Sequence, residues 1–189
     1  TLYSASDSQS QSRRLGMYKK VPSVIFRTVK KRTQAGDAPT VEWSDRNSAE
    51  MFAKTRSILF SLPGAFTPIC STFQLPLFDS LYSDFNALGI DKIFCVSVND
   101  PFVMEAWGDA SNVKNVELIP DGNGEFTRKM GMLVHKDNLS FGMRSWRYAA
   151  IIDDQQIEAW FEEPGFADNS PEDPYGETAP QALLDFLRA

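Results

Sequence analysis

The sequence predicts a single α/β domain, a mixed β-sheet layered by helices. Three observations predict it. Short apolar runs rich in β-branched and aromatic residues, SILFSLP (57–63), KIFCVSV (92–98) and WRYAAIID (146–153), read as buried strands. Between them, apolar residues recur at helical spacing. The last strand is followed by a second one across a two-aspartate turn, an antiparallel hairpin that makes the sheet mixed rather than purely parallel.

In chain order, VPSVIFRTV (21–29) is strand-like, with Pro22 fixing its entry. The basic run Lys30-Lys31-Arg32 reads as a solvated loop between hairpin strands. SAEMFAKT, with Ser48 as N-cap candidate, is a short helical or turn segment. After the strand 57–63, LPLFDSLYSDFNALG places Leu77, Phe78, Leu81, Tyr82, Phe85 and Leu88 on one helical face and stops at Gly89 as a C′ glycine. PFVMEAWGDA starts with Pro101 in a first helical turn. VELIPDG is a strand running into a turn, and GEFTRKMGM a helix. QQIEAWFEE pairs with WRYAAIID across Asp153–Asp154, a loop rich in Pro, Asp and Glu covers 164–177, and APQALLDFL closes the chain as a helix. Residues 1–16, dominated by serine and glutamine and ending near Arg13–Arg14, predict a mobile tail before a domain over 17–189. A processed organelle-targeting remnant, an expression leader and a genuine extension all fit that segment, and Met17 fits an original start.

A length of 189 residues suits one domain with a buried core, and a net charge of −6 argues against nucleic acid or anionic membrane as partner. No apolar run approaches a membrane span. Two cysteines do not make a disulfide framework, and with no secretory h-region in view the expected compartment is reducing: the cytoplasm, or a plastid or mitochondrion if residues 1–16 are a transit remnant. No metal site is expected, because Cys70 and Cys95 lie far apart and the single histidine, His135, is near neither.

The chemistry is concentrated in SLPGAFTPICS (61–71). A buried strand ends at Pro63, a glycine-containing loop follows, and a helix begins within a few residues. That passage puts Cys70 in the first turns of a helix, in the crevice beyond a strand's carboxyl end, where helix N–H groups favour a thiolate. Thr67 can turn its hydroxyl toward the sulfur or toward a substrate oxygen, while Pro63 and Pro68 stiffen the loop. Cys95 is the contrast: mid-strand among Ile93, Phe94 and Val96, it is expected to be buried and inert. The aromatic residues Phe73, Phe78, Trp107, Trp146 and Trp160 read mostly as core or interface, with Phe73 close enough to Cys70 to line a substrate mouth.

Pro63-x-x-x-Thr67-x-x-Cys70 resembles the peroxidatic-cysteine motif of the peroxiredoxins, and PGAFTP followed by CS is similar to their type-5 (atypical, plant type II) subfamily. VSVNDPFVMEAW (96–107), IPDGNGEFT (119–127), GMLV (131–134) and FGMRSWRYAAIID (141–153) resemble that subfamily's blocks in the same order. The resemblance implies a thioredoxin-like fold and a homodimer. It implies that Cys70 is the nucleophile, that Thr67 hydrogen-bonds thiolate and peroxide, that Pro63 shields the sulfur, and that Arg147 is the active-site arginine, with Arg144 as a second candidate or a support of the local fold. A permanent cation with planar donors beside Cys70 suits both thiolate and peroxide oxygens. Gln74 departs from the subfamily, which often has histidine there.

The implied reaction is thiol-dependent reduction of hydrogen peroxide and alkyl hydroperoxides, leaving Cys70 as a sulfenic acid, with no metal or organic cofactor. With Cys95 buried, the resolving thiol is expected from outside, a one-Cys mechanism recycled by glutathione and glutaredoxin or by thioredoxin. The sequence has no CxxC, so a glutaredoxin is expected as a separate protein or as part of a longer chain. The rival reading is a peroxide sensor or redox relay signalling through Cys70 oxidation.

Overall fold

The computed structural model describes residues 20–32, 36–38 and 40–189, so the expected tail over 1–16 lies outside the described residues. The described chain begins with a hairpin of β1 (Ile25–Arg32) and β2 (Thr40–Asn47), paired from Ile25 opposite Asn47 to Arg32 opposite Thr40. Lys30, Lys31 and Arg32 therefore belong to a strand, not to a loop. The pairing register carries β1 past its apolar stretch, because ladder hydrogen bonds do not depend on side-chain polarity. A short helix α1 (Ser48–Phe52) follows, and its N-cap is Asn47, whose side chain accepts from Ala49 N, rather than Ser48. The Ser48 hydroxyl is buried and bridges backwards, accepting from Val24 N at 2.7 Å and donating to Pro22 O at 2.6 Å.

The central sheet has five strands in the order β5-β4-β3-β8-β9: β3 (Arg56–Ser61), β4 (Lys92–Ser97) and β5 (Val116–Pro120) are parallel, β8 (Tyr148–Asp153) runs antiparallel to β3, and β9 (Gln156–Glu162) runs antiparallel to β8. β8 and β9 join through Asp154 and Gln155, both at positive φ (43° and 69°), the turn geometry whose twist suits a two-residue hairpin. A further small pair, β6 (Leu133–His135) and β7 (Met143–Ser145), lies outside this sheet. This is the expected mixed α/β sheet.

Strand alternation sorts the core into two layers. Ile58, Phe60, Ile93, Cys95, Ala149 and Ile151 face one side with Phe78, Phe85, Trp107 and Leu183. Leu59, Phe94, Val96, Tyr148, Ala150 and Ile152 face the other with Phe52, Phe126 and Trp146. The first layer is roofed by α2 (Leu75–Ser80), α3 (Tyr82–Ala87), α4 (Pro101–Ala110) and α6 (Pro180–Arg188). The second is covered by α1 and α5 (Glu125–Lys129). The stretch 75–89 is two helices rather than one, parted at Leu81 (ψ 8°), and it stops at Gly89 with φ +90°, a left-handed backbone that glycine adopts without a Cβ clash. Asp100 caps α4 by accepting from Phe102 N and Val103 N, with Pro101 in the first turn as expected. No described helix is long and apolar enough to cross a membrane.

Candidate active site

β3 delivers the chain to the carboxyl end of the parallel strands, and residues 62–67 turn there into a helix beginning at Pro68. Three hydrogen bonds shape the turn. Thr67 Oγ1 donates to Gly64 O at 2.7 Å, Thr67 O accepts from Ser71 N at 3.0 Å, and Ala65 N donates to Asn99 Oδ1 at 3.0 Å, which ties the loop to the end of β4. Phe66 sits at φ +63°, a left-handed conformation that a bulky side chain enters only when its surroundings enforce it. Its side chain is exposed, as is that of Phe73.

Cys70 opens a π-helical turn, Cys70–Gln74, in which Leu75 N reaches back to Cys70 O. Such wide turns are uncommon and recur at functional sites. The turn is braced from α4 by Trp107, whose indole N–H donates to Ser71 Oγ at 2.9 Å. Cys70 itself is fully buried, and so is Cys95; both are free thiols. Burial pushes the Cys95 thiol well above its usual range, and the nearby charge of Cys70 pushes it further.

Arg147, immediately before β8, is the group that meets Cys70. Its Nη1 donates to Cys70 Sγ at 3.4 Å and to Gln74 Oε1, its Nη2 to Asp173 Oδ1 at 2.6 Å, and its Nε to Pro174 O at 3.2 Å. The Tyr175 ring centroid lies 5.7 Å from the guanidinium carbon. Burial works against the Arg147 charge, but Cys70 and Asp173 outweigh it and raise its pKa. Arg144 serves the loop instead: Nη1 donates to Pro63 O at 3.2 Å and Nε to Phe141 O at 3.0 Å. Lys136 adds a third cation. It is buried with its ammonium 5.4 Å from the Trp146 ring centroid, and burial pulls its pKa down against the attraction of Asp173.

The structure thus joins Arg147 to Cys70 directly, sets Thr67 at the turn that starts the Cys70 helix, and ties Pro63, at the head of the same loop, to Arg144. The Thr67 hydroxyl donates to Gly64 O in this structure, not to the sulfur, and its lone pairs stay available as acceptors. Phe73 is on the outer surface of the turn. Sequence reasoning missed Asp173, Pro174 and the acceptor role of Gln74. The one signal for an anion was that a buried arginine requires a counter-charge, and the loop 164–177 offers several acidic residues without indicating which.

The loop is tight enough to be tested at Gly64. A Cβ there would come within 2.3 Å of Arg144 Nη1. Gly64→Ala is expected to push that guanidinium off Pro63 O and cost about 1.5–3 kcal/mol, the worth of one hydrogen bond to a charged group, read as a lowered urea midpoint. In an Arg144→Ala background the same substitution should cost little.

A family model described as Redoxin matches residues 28–173. A peroxiredoxin of Rhizobium etli is 60% identical over 174 residues, covering 92% of this chain and 97% of that one. Among solved structures, the Plasmodium falciparum antioxidant protein, a 1-Cys peroxiredoxin, superposes with a TM-score of 0.82 at 31% identity over 89% of this chain and 97% of its own. The reduced Prx3 of Vibrio vulnificus in complex with H2O2 does so with a TM-score of 0.75 at 31% identity, over 89% and 93%. With a thiol meeting a buried arginine at the end of a mixed thioredoxin-like sheet, and relatives matched along nearly their whole length, this chain belongs to the peroxiredoxins, thiol peroxidases of the redoxin family, and within them to the bacterial type-5-like group.

Proposed function

We propose that Cys70 reduces hydrogen peroxide and small alkyl hydroperoxides by a one-Cys mechanism and is recycled by an external thiol. The observation that carries this is the contact of Arg147 Nη1 with Cys70 Sγ at 3.4 Å. The thiolate attacks one oxygen of ROOH: an S–O bond forms, the O–O bond breaks, and RO⁻ departs to take up a proton as ROH. Sulfur loses two electrons and becomes sulfenic acid. Arg147 and the backbone N–H groups of the helix start supply donors where negative charge grows on the departing oxygen, while the Thr67 hydroxyl, which donates to Gly64 O, accepts the peroxide's own O–H. Pro63 screens one side of the sulfur. Full burial of Cys70 favours small peroxides, and Phe73, exposed on the same π-turn, is the proposed substrate-contacting aromatic.

A thiol R′SH then displaces water from the sulfenic acid, and a second thiol reduces the mixed disulfide; glutathione with glutaredoxin is the proposed pair, with thioredoxin as the alternative. Cys95 supports the external route, since it is buried in a strand and its thiol is held protonated. Exposed apolar side chains on the site's flank, Phe66, Phe73, Leu77 and Phe102, suit a homodimer through that face. Free thiols suit a reducing compartment such as the cytoplasm.

Peroxide consumption measured in parallel with glutathione, glutaredoxin and thioredoxin systems tests the recycling. Sustained turnover with glutathione plus glutaredoxin is expected; one stoichiometric turnover with every reductant would instead make the protein a sensor. Cys95→Ser should keep most of the turnover. Recycling lost in that variant would overturn the one-Cys assignment.

A further inference from the structure

We infer that Asp173 is a positioning residue of the peroxide-reducing site, acting on the reaction through Arg147; this rests on the roles proposed for Cys70 and Arg147.

Arg147 carries five N–H donors in a rigid fork, and four of them have described partners: Cys70 Sγ, Gln74 Oε1, Asp173 Oδ1 and Pro174 O. Two of the four, Asp173 and Pro174, are neighbours in one loop. The fork faces the sulfur because its far side is fixed by that loop. The pair is not an ordinary surface bridge, since the Arg147 side chain is 1% exposed and that of Asp173 40%.

The loop is itself anchored. Glu163, buried at its start, accepts from Gly176 N at 2.6 Å, Thr178 N at 3.0 Å and Thr178 Oγ1 at 3.1 Å on Oε1, and from Glu177 N at 3.2 Å on Oε2. One carboxylate therefore closes the loop upon itself, and the span between, 164–175, presents Asp173 to the guanidinium. The orientation of Gln74 is set by the same contact: its carbonyl must face the Arg147 donors, which leaves Nε2 buried without a hydrogen-bond partner. Gln74 can hold Nη1 but supplies no charge, so Asp173 is the only described carboxylate hydrogen-bonded to Arg147.

Two effects of Asp173 oppose each other. As a bare negative charge near Cys70 it disfavours the thiolate, so deleting it would keep or raise the reactivity of the sulfur. As the holder of Arg147 it fixes the donors that receive the peroxide oxygens, so deleting it would slow oxidation. Displacement of reacting groups by about 1 Å is worth up to about 10²-fold in rate, far more than a screened charge, so positioning wins.

The test compares single-turnover oxidation of Cys70 by hydrogen peroxide with its alkylation by iodoacetamide, in Asp173→Ala, Asp173→Asn, Arg147→Ala and the Asp173→Ala/Arg147→Ala double variant. Both reagents must reach the same sulfur, and only peroxide needs oxygen-binding donors. Asp173→Ala is expected to slow oxidation about tenfold or more while alkylation changes by less than about threefold. Asp173→Asn, which keeps the acceptor oxygen, should fall between Asp173→Ala and the parent. In the Arg147→Ala background, Asp173→Ala should add nothing, as expected for residues that act as a unit. Equal losses in both reactions, an unchanged oxidation rate, or a loss that persists without Arg147 would each overturn the inference. If Arg147→Ala itself oxidises normally, the underlying reading of Arg147 fails too; if only the Asp173 variants do, that reading stands and the positioning role alone falls.

Discussion

Replacing Cys70 by serine is expected to end peroxide consumption, a loss of roughly three orders of magnitude or more, because a serine hydroxyl stays protonated at neutral pH and cannot store the two electrons that sulfur releases. The substitution should spare the fold. Serine is close to cysteine in volume, and the oxygen it places at the start of the π-turn meets Arg147 Nη1, which can donate to it as it donates to the sulfur. The expected cost is about 1 kcal/mol for burying the hydroxyl with one partner, seen as a small fall in the thermal midpoint. Measured together, peroxide consumption near the buffer background and a native-like melt are the expected pair. Substantial turnover in Cys70→Ser would remove Cys70 from the reaction, and unfolding of the variant would be settled by Cys70→Ala, which asks no hydroxyl to be satisfied.

The proposed nucleophile is legible in the sequence because the features that point to it are local. Pro63, Gly64, Thr67, Pro68 and Cys70 fall within one eight-residue stretch, and the strand-to-helix passage through them follows from a buried apolar run ending at a proline. The core strands were legible for the same reason: Ile58, Phe60, Ile93 and Cys95 alternate with Leu59, Phe94 and Val96 between two layers, and only a strand buried on both faces reads as an unbroken apolar run. β2 was not, since TVEWSDRN lies largely exposed and carries no apolar alternation. Its partner β1 likewise runs on through Lys30, Lys31 and Arg32, where a run of cations hides a ladder made by the backbone. Arg147 stands 77 residues from Cys70, and no pattern within the chain links them; the family resemblance did. Asp173 was harder still. It sits among Asp, Glu and Pro residues that look alike, and only the closure of the loop by Glu163 singles it out.

Arg147→Lys distinguishes charge from geometry at the site. Lysine keeps the cation, so if a nearby positive charge were all that Cys70 required, oxidation would be nearly unchanged. The structure asks for more. One guanidinium serves Cys70 Sγ, Gln74 Oε1, Asp173 Oδ1 and Pro174 O in a planar arrangement, and an ammonium has three donors on a single atom that cannot reach the same directions. Within this buried site the ammonium should settle on the strongest anion, the Asp173 carboxylate, and leave the sulfur. The expected result is a fall of about 10²-fold in the rate of peroxide oxidation, the usual effect of removing a preorganised donor from a developing oxyanion. Stability should drop by about 2 kcal/mol, because the buried Gln74 acceptor and the half-buried Pro174 carbonyl lose their partner. Arg147→Ala should be worse on both counts, since it also strands the Asp173 carboxylate beside a buried site. Stopped-flow oxidation and urea unfolding of the two variants check this. A lysine variant oxidised within about threefold of the parent rate would mean that the charge alone sustains the reaction and that the fork is dispensable.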